Sequence, residues 1–131
     1  MTQAATAVLL IEDSDTDALL LREALAGDLI GQFEVTAVER LGMGLQLLAQ
    51  RHFDVVLLDL GLPDSQGLAT FERLHAATPE VPVVVFSGNR DTFAATEAVQ
   101  RGAQDYLVKG QTAWDSAPRA IRYAIERQRS Q

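Results

Sequence analysis

Short apolar runs alternate with amphipathic segments along the whole chain. Five of the runs are rich in Val, Leu, Ile and Phe, which favours strands. They lie roughly at Ala7 to Ile11, Phe33 to Val38, Val55 to Leu58, Val83 to Phe86 and Asp105 to Val108. The third and fourth runs are apolar without alternation, so we expect helices to cover both of their faces. The pattern is typical of strand-helix units repeated around a parallel sheet.

The segments between the strands carry apolar stripes with helical spacing. The stripes are formed by Ala18, Leu21 and Leu25, by Leu41, Leu45 and Leu48, and by Ala117, Ile121, Ala124 and Ile125. Gly67 to Leu74 and Thr92 to Gln100 give weaker helical patterns, with Asp91 as a candidate cap for the second. No linker or repeat separates these elements, so residues 1–131 are expected to form one α/β domain with its core at about 7–127. The predicted architecture is a doubly wound five-stranded parallel sheet with helices on both faces.

The amino-acid composition limits the classes of function that this chain can have. A chain of 131 residues with 47% hydrophobic residues is long and apolar enough to bury a real core. Its net charge of -7 disfavours direct binding to nucleic acid or to an anionic membrane, because both need a cationic surface. The absence of cysteine excludes disulfides, thiolate metal sites and cysteine nucleophiles from this chain, and fits a cytoplasmic location.

Three carboxylates stand where predicted strands end. Glu12 and Asp13 follow the first strand, and Asp59 follows the third. In open α/β sheets, ligands bind outside the carboxyl ends of the strands where the strand order reverses. In the usual order of this fold the first and third strands flank that point, so the three acids should converge. Converging carboxylates repel unless a cation neutralises them, and a hard divalent ion prefers oxygen ligands, which makes Mg²⁺ the natural candidate.

Two further polar residues point to phosphoryl transfer. Ser87 ends the fourth run and Lys109 follows the fifth, so both should face the same crevice. A hydroxyl, an ammonium, a metal and a carboxylate together suit phosphoryl transfer, with Asp59 as the nucleophile. Taken singly, acids after strands are usually helix caps or loop polars, and we assign Asp15 and Asp17 to that class. The joint occurrence after four strands favours a site.

On these residues, the chain resembles the receiver domains of two-component response regulators from Val8 to about Arg127. The matching stretches are Val-Leu-Leu-Ile-Glu-Asp-Ser at 8–14, Asp-Val-Val-Leu-Leu-Asp-Leu-Gly-Leu-Pro-Asp-Ser-Gln-Gly at 54–67, Val-Val-Val-Phe-Ser-Gly at 83–88 and Gly-Ala-Gln-Asp-Tyr-Leu-Val-Lys at 102–109. The resemblance implies a flavodoxin-like sheet with strand order 2-1-3-4-5. It also implies a phosphoacceptor switch that catalyses only its own phosphorylation and dephosphorylation.

The resemblance assigns a metal site. By it, Asp13 ligates Mg²⁺ directly, Glu12 assists through water, and Asp59 and the backbone carbonyl of Gly61 complete the protein ligands. A sensor histidine kinase or a phosphotransfer protein would supply the phosphoryl group.

The resemblance also assigns the residues that hold and report the phosphoryl group. Asp59 would accept it, while Ser87 and Lys109 would hold its oxygens. Movement of Ser87 would then let the Tyr106 ring turn from an exposed to a buried rotamer. This switch would recast the face formed by the fourth helix, fifth strand and fifth helix.

One position departs from the family pattern, and two others bear on the lifetime of the acyl phosphate. The family usually follows its lysine with a proline in a cis peptide, whereas Gly110 follows Lys109 here. A cis bond before glycine would cost about 2.5 to 4 kcal/mol, so we expect a trans, more mobile loop. Gly61 has no side chain to shield an acyl phosphate from water, and Asn89 stands at the other position that tunes its lifetime.

The last helix is basic, with arginines at 119, 122, 127 and 129. A solvated face is the simpler interpretation. By resemblance, such arginines can instead pair with acids across a homodimer formed through the fourth helix, fifth strand and fifth helix, where Glu97, Arg101 and Asp105 are candidates. The final Arg-Tyr-Ala-Ile-Glu-Arg-Gln-Arg resembles helices that continue into an output domain, which slightly favours a piece of a larger regulator.

Two other functions compete with the switch. A phosphatase that forms an aspartyl phosphate would need a second acid two residues after its nucleophile, and Gly61 occupies that position. A phosphorylation-independent interaction domain could use the same fold, but such domains tend to lose the acids or the lysine. Metal-dependent labelling of Asp59 would separate the switch from the interaction domain.

Overall fold

The computed structural model describes residues 5–28, 30–88 and 92–130, so Asn89 and Asp91, considered above, lie outside the described residues. Within these ranges the chain forms seven strands and five helices. The strands are β1 (Thr6–Ile11), β2 (Phe33–Val38), β3 (Val55–Asp59), β4 (Gly61–Leu62), β5 (Ser65–Gln66), β6 (Val83–Ser87) and β7 (Asp105–Val108). The helices are α1 (Asp15–Ala26), α2 (Leu41–Gln50), α3 (Leu68–Ala77), α4 (Thr92–Gln100) and α5 (Gln111–Arg129).

Five strands form one parallel sheet in the order β2-β1-β3-β6-β7. The two-residue strands β4 and β5 pair with each other in a separate antiparallel hairpin, which the sequence pattern did not predict. With that hairpin set aside, the predicted order 2-1-3-4-5 is confirmed. The strand order reverses between β1 and β3, which creates a crevice at their carboxyl ends.

Alternate side chains of each strand enter two separate cores, one on each face of the sheet. Leu9 and Ile11 of β1 pack with residues of α2, α3 and α4. Val8 and Leu10 of the same strand pack with residues of α1 and α5. Every residue of β3 and β6 is buried, as expected for central strands covered on both faces.

The strand ends place the polar residues with small shifts from the prediction. β3 and β6 each extend one residue beyond the predicted bounds, so that Asp59 and Ser87 are their last residues. Glu12 follows β1 and Lys109 follows β7, as predicted. All four therefore lie at the carboxyl edge of the sheet.

Gly110 forms the turn between β7 and α5. Its φ of 147° and ψ of 179° lie in a region that only glycine adopts readily. The described residues contain no cis peptide bond, which confirms the trans bond expected after Lys109. Among the helices of the described ranges, none is both long and apolar enough to cross a membrane.

Candidate functional site

Glu12, Asp13 and Asp59 form an acidic trio at the crevice between β1 and β3. One carboxylate oxygen from each lies within 4.8 Å of the others, a spacing that could hold a metal ion. Glu12 and Asp59 are only 2% and 4% exposed, whereas Asp13 is exposed. The trio therefore has two buried oxygen donors and one at the surface, which leaves an open side for water or a ligand.

Lys109 faces the buried half of the trio. Its Nζ lies 3.2 Å from Asp59 Oδ2, and 3.1 and 3.3 Å from the two oxygens of Glu12. The same ammonium lies over the Phe86 ring, 5.4 Å from the ring centroid. Phe86 in turn packs edge-on against Trp114 of α5. Aromatic side chains thus form one wall beside the ammonium.

Burial and neighbouring charges shift the pKa values of Glu12 and Lys109. Burial raises the pKa of Glu12 to about 9, because desolvation and the neighbouring Asp59 carboxylate outweigh the attraction of Lys109. Burial by itself would lower the pKa of Lys109, but contacts with Asp17, Asp59 and Glu12 raise it above its ordinary value. Without a metal, the pocket holds a firmly protonated ammonium beside a carboxyl group that ionises reluctantly.

The loop after β3 contacts the Asp59 side chain directly. The Gly61 backbone N–H donates to Asp59 Oδ1 over 3.2 Å. Gly61 is exposed, and a Cβ built on it would meet nothing within 4 Å. The outer side of the Asp59 carboxylate is therefore unshielded by this residue.

Ser87 is fully buried at the end of β6. Its Oγ is the one buried side-chain polar atom of the described residues without a hydrogen-bond partner. Its backbone oxygen accepts from the Lys109 N–H at 2.8 Å, which ties the two strand ends together. A buried hydroxyl without a partner is costly, so this position is suited to an additional acceptor in the crevice.

Tyr106 lies on β7 opposite Val85, two residues before Ser87 on the neighbouring strand. It is half-buried against the core that includes Val85 and Ala95 of α4. Val85 and Ser87 share one face of β6, because side chains alternate along a strand. The hydroxyl and the tyrosine therefore lie along the same α4-covered face.

Two acids act in ways that the sequence pattern missed. Asp17, assigned above to the ordinary loop and cap acids, contacts Lys109 Nζ through its Oδ2 at 2.9 Å. Its position four residues after Asp13, in the first turn of α1, was the available signal. Asp64 accepts hydrogen bonds from the backbone N–H groups of Leu41 and Gly42, each at 2.9 Å, and so caps α2 from the turn of the β4–β5 hairpin.

The charges considered for a dimer face are partly used inside the chain. Arg101 lies 3.1 Å from Glu72 and 3.9 Å from Glu97, while Arg122 binds Asp28 at 2.6 Å. Arg127 donates to the side chain and backbone of Gln104. Part of the basic surface of α5 is therefore already bonded within the chain.

Comparison with known proteins agrees with this geometry. The response regulator receiver domain profile matches residues 8–116, which is most of the chain. The chain belongs to the response regulator receiver domain family. Receiver domains of this family are phosphorylatable regulatory switches of two-component response regulators.

Curated receiver-containing relatives include two bacterial regulators. The KDP operon transcriptional regulatory protein KdpE of Escherichia coli strain K12 is 38% identical over 104 residues, which cover 79% of this chain and 44% of that protein. The response regulator protein FleR of Pseudomonas aeruginosa is 35% identical over 106 residues, covering 80% of this chain and 22% of that protein. This receiver domain thus matches less than half the length of either relative.

Solved receiver domains have the same fold. The BeF3-activated receiver domain of nitrogen regulatory protein C aligns with a TM-score of 0.75 and 31% identity, covering 95% of this chain and 98% of that one. The receiver domain of an HD domain-containing protein from Pseudomonas fluorescens Pf-5 aligns with a TM-score of 0.82 at 23% identity, covering 99% and 93% of the two chains. The flavodoxin-like fold predicted from the sequence is therefore confirmed.

Proposed function

We propose that this receiver domain accepts a phosphoryl group on Asp59 from a phosphohistidine donor, with Mg²⁺ as cofactor. The donor would be a sensor histidine kinase or a phosphotransfer protein. The observation that carries the proposal is the joint position of Asp59 and Lys109. A nearly buried carboxylate lies 3.2 Å from an ammonium, at the edge where the strand order reverses.

The donor set fits Mg²⁺. Glu12, Asp13 and Asp59 offer oxygen ligands within 4.8 Å of one another, and a hard cation prefers such ligands. When both buried carboxyl groups are ionised, they need more positive charge than Lys109 alone supplies. Asp13, Asp59 and the Gly61 carbonyl would hold the ion, with Glu12 assisting through water. When bound, the ion would offset negative charge on the phosphoryl oxygens.

The chain's own residues would perform the transfer by positioning. A carboxylate oxygen of Asp59 attacks phosphorus while the bond between phosphorus and the donor imidazole nitrogen breaks, and the imidazole leaves with that electron pair. Lys109 already contacts Asp59 and can donate to a phosphoryl oxygen without a long movement. The Ser87 hydroxyl, buried and without a partner, can donate to another.

Labelling tests the nucleophile assignment. The protein is treated with acetyl phosphate, with and without Mg²⁺, and the acyl phosphate is trapped by borohydride before peptide mass spectrometry. We expect label on Asp59 only, and only with the divalent metal. Asp59→Asn should lose it, while Asp64→Asn, five residues further along in the turn between β4 and β5, should retain it. Label on Glu12 or Asp64, or metal-independent label, would contradict the assignment. No label at all would favour a phosphorylation-independent interaction domain.

The proposed readout couples Ser87 to Tyr106. A phosphoryl group carries nearly two negative charges and strong acceptor oxygens, so it should draw the Ser87 hydroxyl toward Asp59. This movement would open space on the α4-covered face, into which the half-buried Tyr106 ring can turn. The switch would need two states that differ by only a few kcal/mol. The face of α4, β7 and α5 would then change for a partner or a second copy of the chain.

NMR of the Tyr106 ring checks this coupling. We expect its resonances to shift when a beryllium fluoride mimic is added to the wild type with Mg²⁺, and to shift much less in Ser87→Ala. Ser87→Ala should still accept the mimic, which the Asp59 amide signal would report. An unchanged ring in the wild type with the mimic bound would refute the coupling.

Continuation of α5 into an output domain stays a prediction.

A further inference from the structure

Asp17 is a fourth carboxylate at the pocket, and the proposed chemistry above gives it no role. It lies in the first turn of α1, and its side chain is 25% exposed. Its Oδ2 makes the shortest of the contacts to Lys109 Nζ, at 2.9 Å against 3.1 Å for the nearer Glu12 oxygen and 3.2 Å for Asp59. The ammonium is therefore anchored by α1 as well as by the strand-end acids.

The helix start fixes the direction of Asp17. Ser14 caps α1 by accepting the Asp17 backbone N–H through its side-chain oxygen at 3.2 Å. The Ser14 backbone N–H in turn donates to Glu12 Oε1 at 3.1 Å. The first turn of α1 is thus bonded to the same glutamate that contacts Lys109, which limits where the Asp17 side chain can reach.

Asp17 differs from the other two partners of Lys109 in one respect. Glu12 and Asp59 belong to the acidic trio, whereas Asp17 does not. A cation held by the trio would compete with Lys109 for the oxygens of Glu12 and Asp59. Asp17 would then be the partner of the Lys109 ammonium for which the cation does not compete.

We propose that Asp17 is a positioning residue that keeps the Lys109 ammonium in the pocket when a divalent cation occupies the acidic trio. This inference rests on the proposed function, because the held ammonium is the group that would meet the phosphoryl oxygens. A tethered donor reaches its reactive position at lower entropic cost than a free lysine side chain. Without Asp17, a cation at the trio would free Lys109 to move toward solvent.

The sequence provides a clean probe of this proposal, since Lys109 is the only lysine in the chain. Protein labelled with ¹⁵N at lysine Nζ should give one ammonium signal, which is sharp only when the ammonium is held by acceptors. Asp15→Asn is the matched control, because Asp15 is an exposed acid of the same first helical turn. It removes the same charge beside the helix N-terminus.

We expect wild type and Asp15→Asn to keep the sharp signal both without metal and with saturating Mg²⁺. Asp17→Asn should keep it without metal, since Glu12 and Asp59 still hold the ammonium, and lose it when Mg²⁺ is added. Asp17→Glu should restore it in part. A sharp signal in Mg²⁺-saturated Asp17→Asn, or its absence from Mg²⁺-saturated wild type, would overturn the proposal.

The rate of Asp59 labelling by acetyl phosphate gives a second readout. We expect Asp17→Asn to slow it on the order of threefold, a modest effect because the ion pair is partly exposed. Asp17→Glu should recover part of the rate, and Asp15→Asn should match the wild type. An unchanged rate in Asp17→Asn would contradict a positioning role. If the wild type takes no label, the proposed function fails. The ammonium signal then still tests whether Asp17 holds Lys109, independently of that result.

Discussion

Three carboxylates share one ammonium at the carboxyl edge of the sheet, and a fourth lies beside them. Glu12, Asp17 and Asp59 contact Lys109, and Asp13 lies beside them at the surface. Negative charge exceeds positive charge in this pocket, and two of the acids are almost completely buried. Because water cannot solvate the buried pair, a divalent cation should bind with favourable free energy.

Asp13→Asn should weaken Mg²⁺ binding by at least roughly tenfold, since even an outer-shell partner of a metal typically contributes that much. The substitution removes the exposed charge of the trio while leaving the buried acids in place. Calorimetric titration with Mg²⁺ measures the change, with Asp15→Asn as the control for a lost charge nearby. Equal affinities for wild type and Asp13→Asn would show that the ion binds elsewhere.

Asp64 caps helix α2, which precedes it in the sequence. Arg40, at the N-cap of α2, supplies no side-chain cap bond, and Asp64 receives the first N–H groups instead. We expect Asp64→Ala to lower the free energy of unfolding by about 0.5 to 2 kcal/mol, the usual cost of a lost cap. Urea denaturation at pH 7 measures it.

The cap should depend on pH. Its hydrogen bonds from Gly42 and Leu41 lower the pKa of Asp64 below the ordinary value. A carboxyl group whose pKa is depressed in the folded state stabilises above its unfolded pKa and loses that stabilisation as pH falls through the folded value. The difference between wild type and Asp64→Ala should therefore shrink below about pH 4. A difference that stays constant down to pH 2 would exclude the charged cap.

At the scale of elements, α2 approaches β1 unusually closely. Gly44 is one of the buried residues of α2, and a Cβ built there would lie 2.4 Å from Ile11 Cδ1 and 3.1 Å from its Cγ1. Ile11 is fully buried, so its side chain has little room to move away. Glycine at 44 therefore permits the helix to pack directly on the strand that leads to Glu12.

A pair of glycine substitutions in α2 tests this close approach. Gly42 is exposed, and a Cβ there would meet only Asp64 Oδ2, at 3.5 Å. Both substitutions replace glycine by alanine in the same helix, so their difference reports mainly on the packing around residue 44. We expect Gly44→Ala to be less stable than Gly42→Ala by about 1 to 3 kcal/mol. Ile11→Val, which removes Cδ1, should recover part of that loss in the double variant; equal stabilities of the two single variants would exclude the clash.

At the scale of the whole molecule, the buried acids at the carboxyl edge of the sheet carry a cost in stability. The central strands, covered by a core on each face, end at one crevice. There the fold buries Glu12 and Asp59. Burying like charges destabilises the folded state unless they are neutralised. Protonation and metal binding are two ways to neutralise them, so the metal-free domain should respond to pH.

We expect the free energy of unfolding of the metal-free wild type to fall, relative to Glu12→Gln, as pH rises from about 5 to 9. The folded-state pKa of Glu12 is raised to about 9, so the folded protein holds this proton more tightly than the unfolded chain does. The stabilisation is complete below the unfolded pKa, near 4.3, and is lost as pH approaches the folded value. Urea denaturation in EDTA at pH 6 and pH 9 measures it. A wild type that loses no stability relative to Glu12→Gln between pH 6 and pH 9 would contradict the buried acid.

The sequence by itself determined the sheet, the helices and most of the acidic crevice. Runs such as Val55–Leu58 encode buried strands through residue type alone, and the residue after a strand must lie at the sheet edge. Glu12, Asp59 and Lys109 could therefore be located from local pattern, and the family resemblance supplied the strand order that brings them together. Their convergence follows from topology, which depends little on side-chain detail.

Only the tertiary structure decided which side chains meet across long sequence separations. Asp17 and Lys109 are 92 residues apart, and Asp64 and Leu41 are 23 apart. A hydrophobic pattern indicates the face that a helix buries, but it does not specify the atom of a neighbouring element that a polar side chain will reach. The contact of Gly44 with Ile11 depends in the same way on the distance between two packed elements. These contacts arise from close packing of the whole chain, so a local pattern can at most mark a candidate such as Asp17 and does not identify its partner.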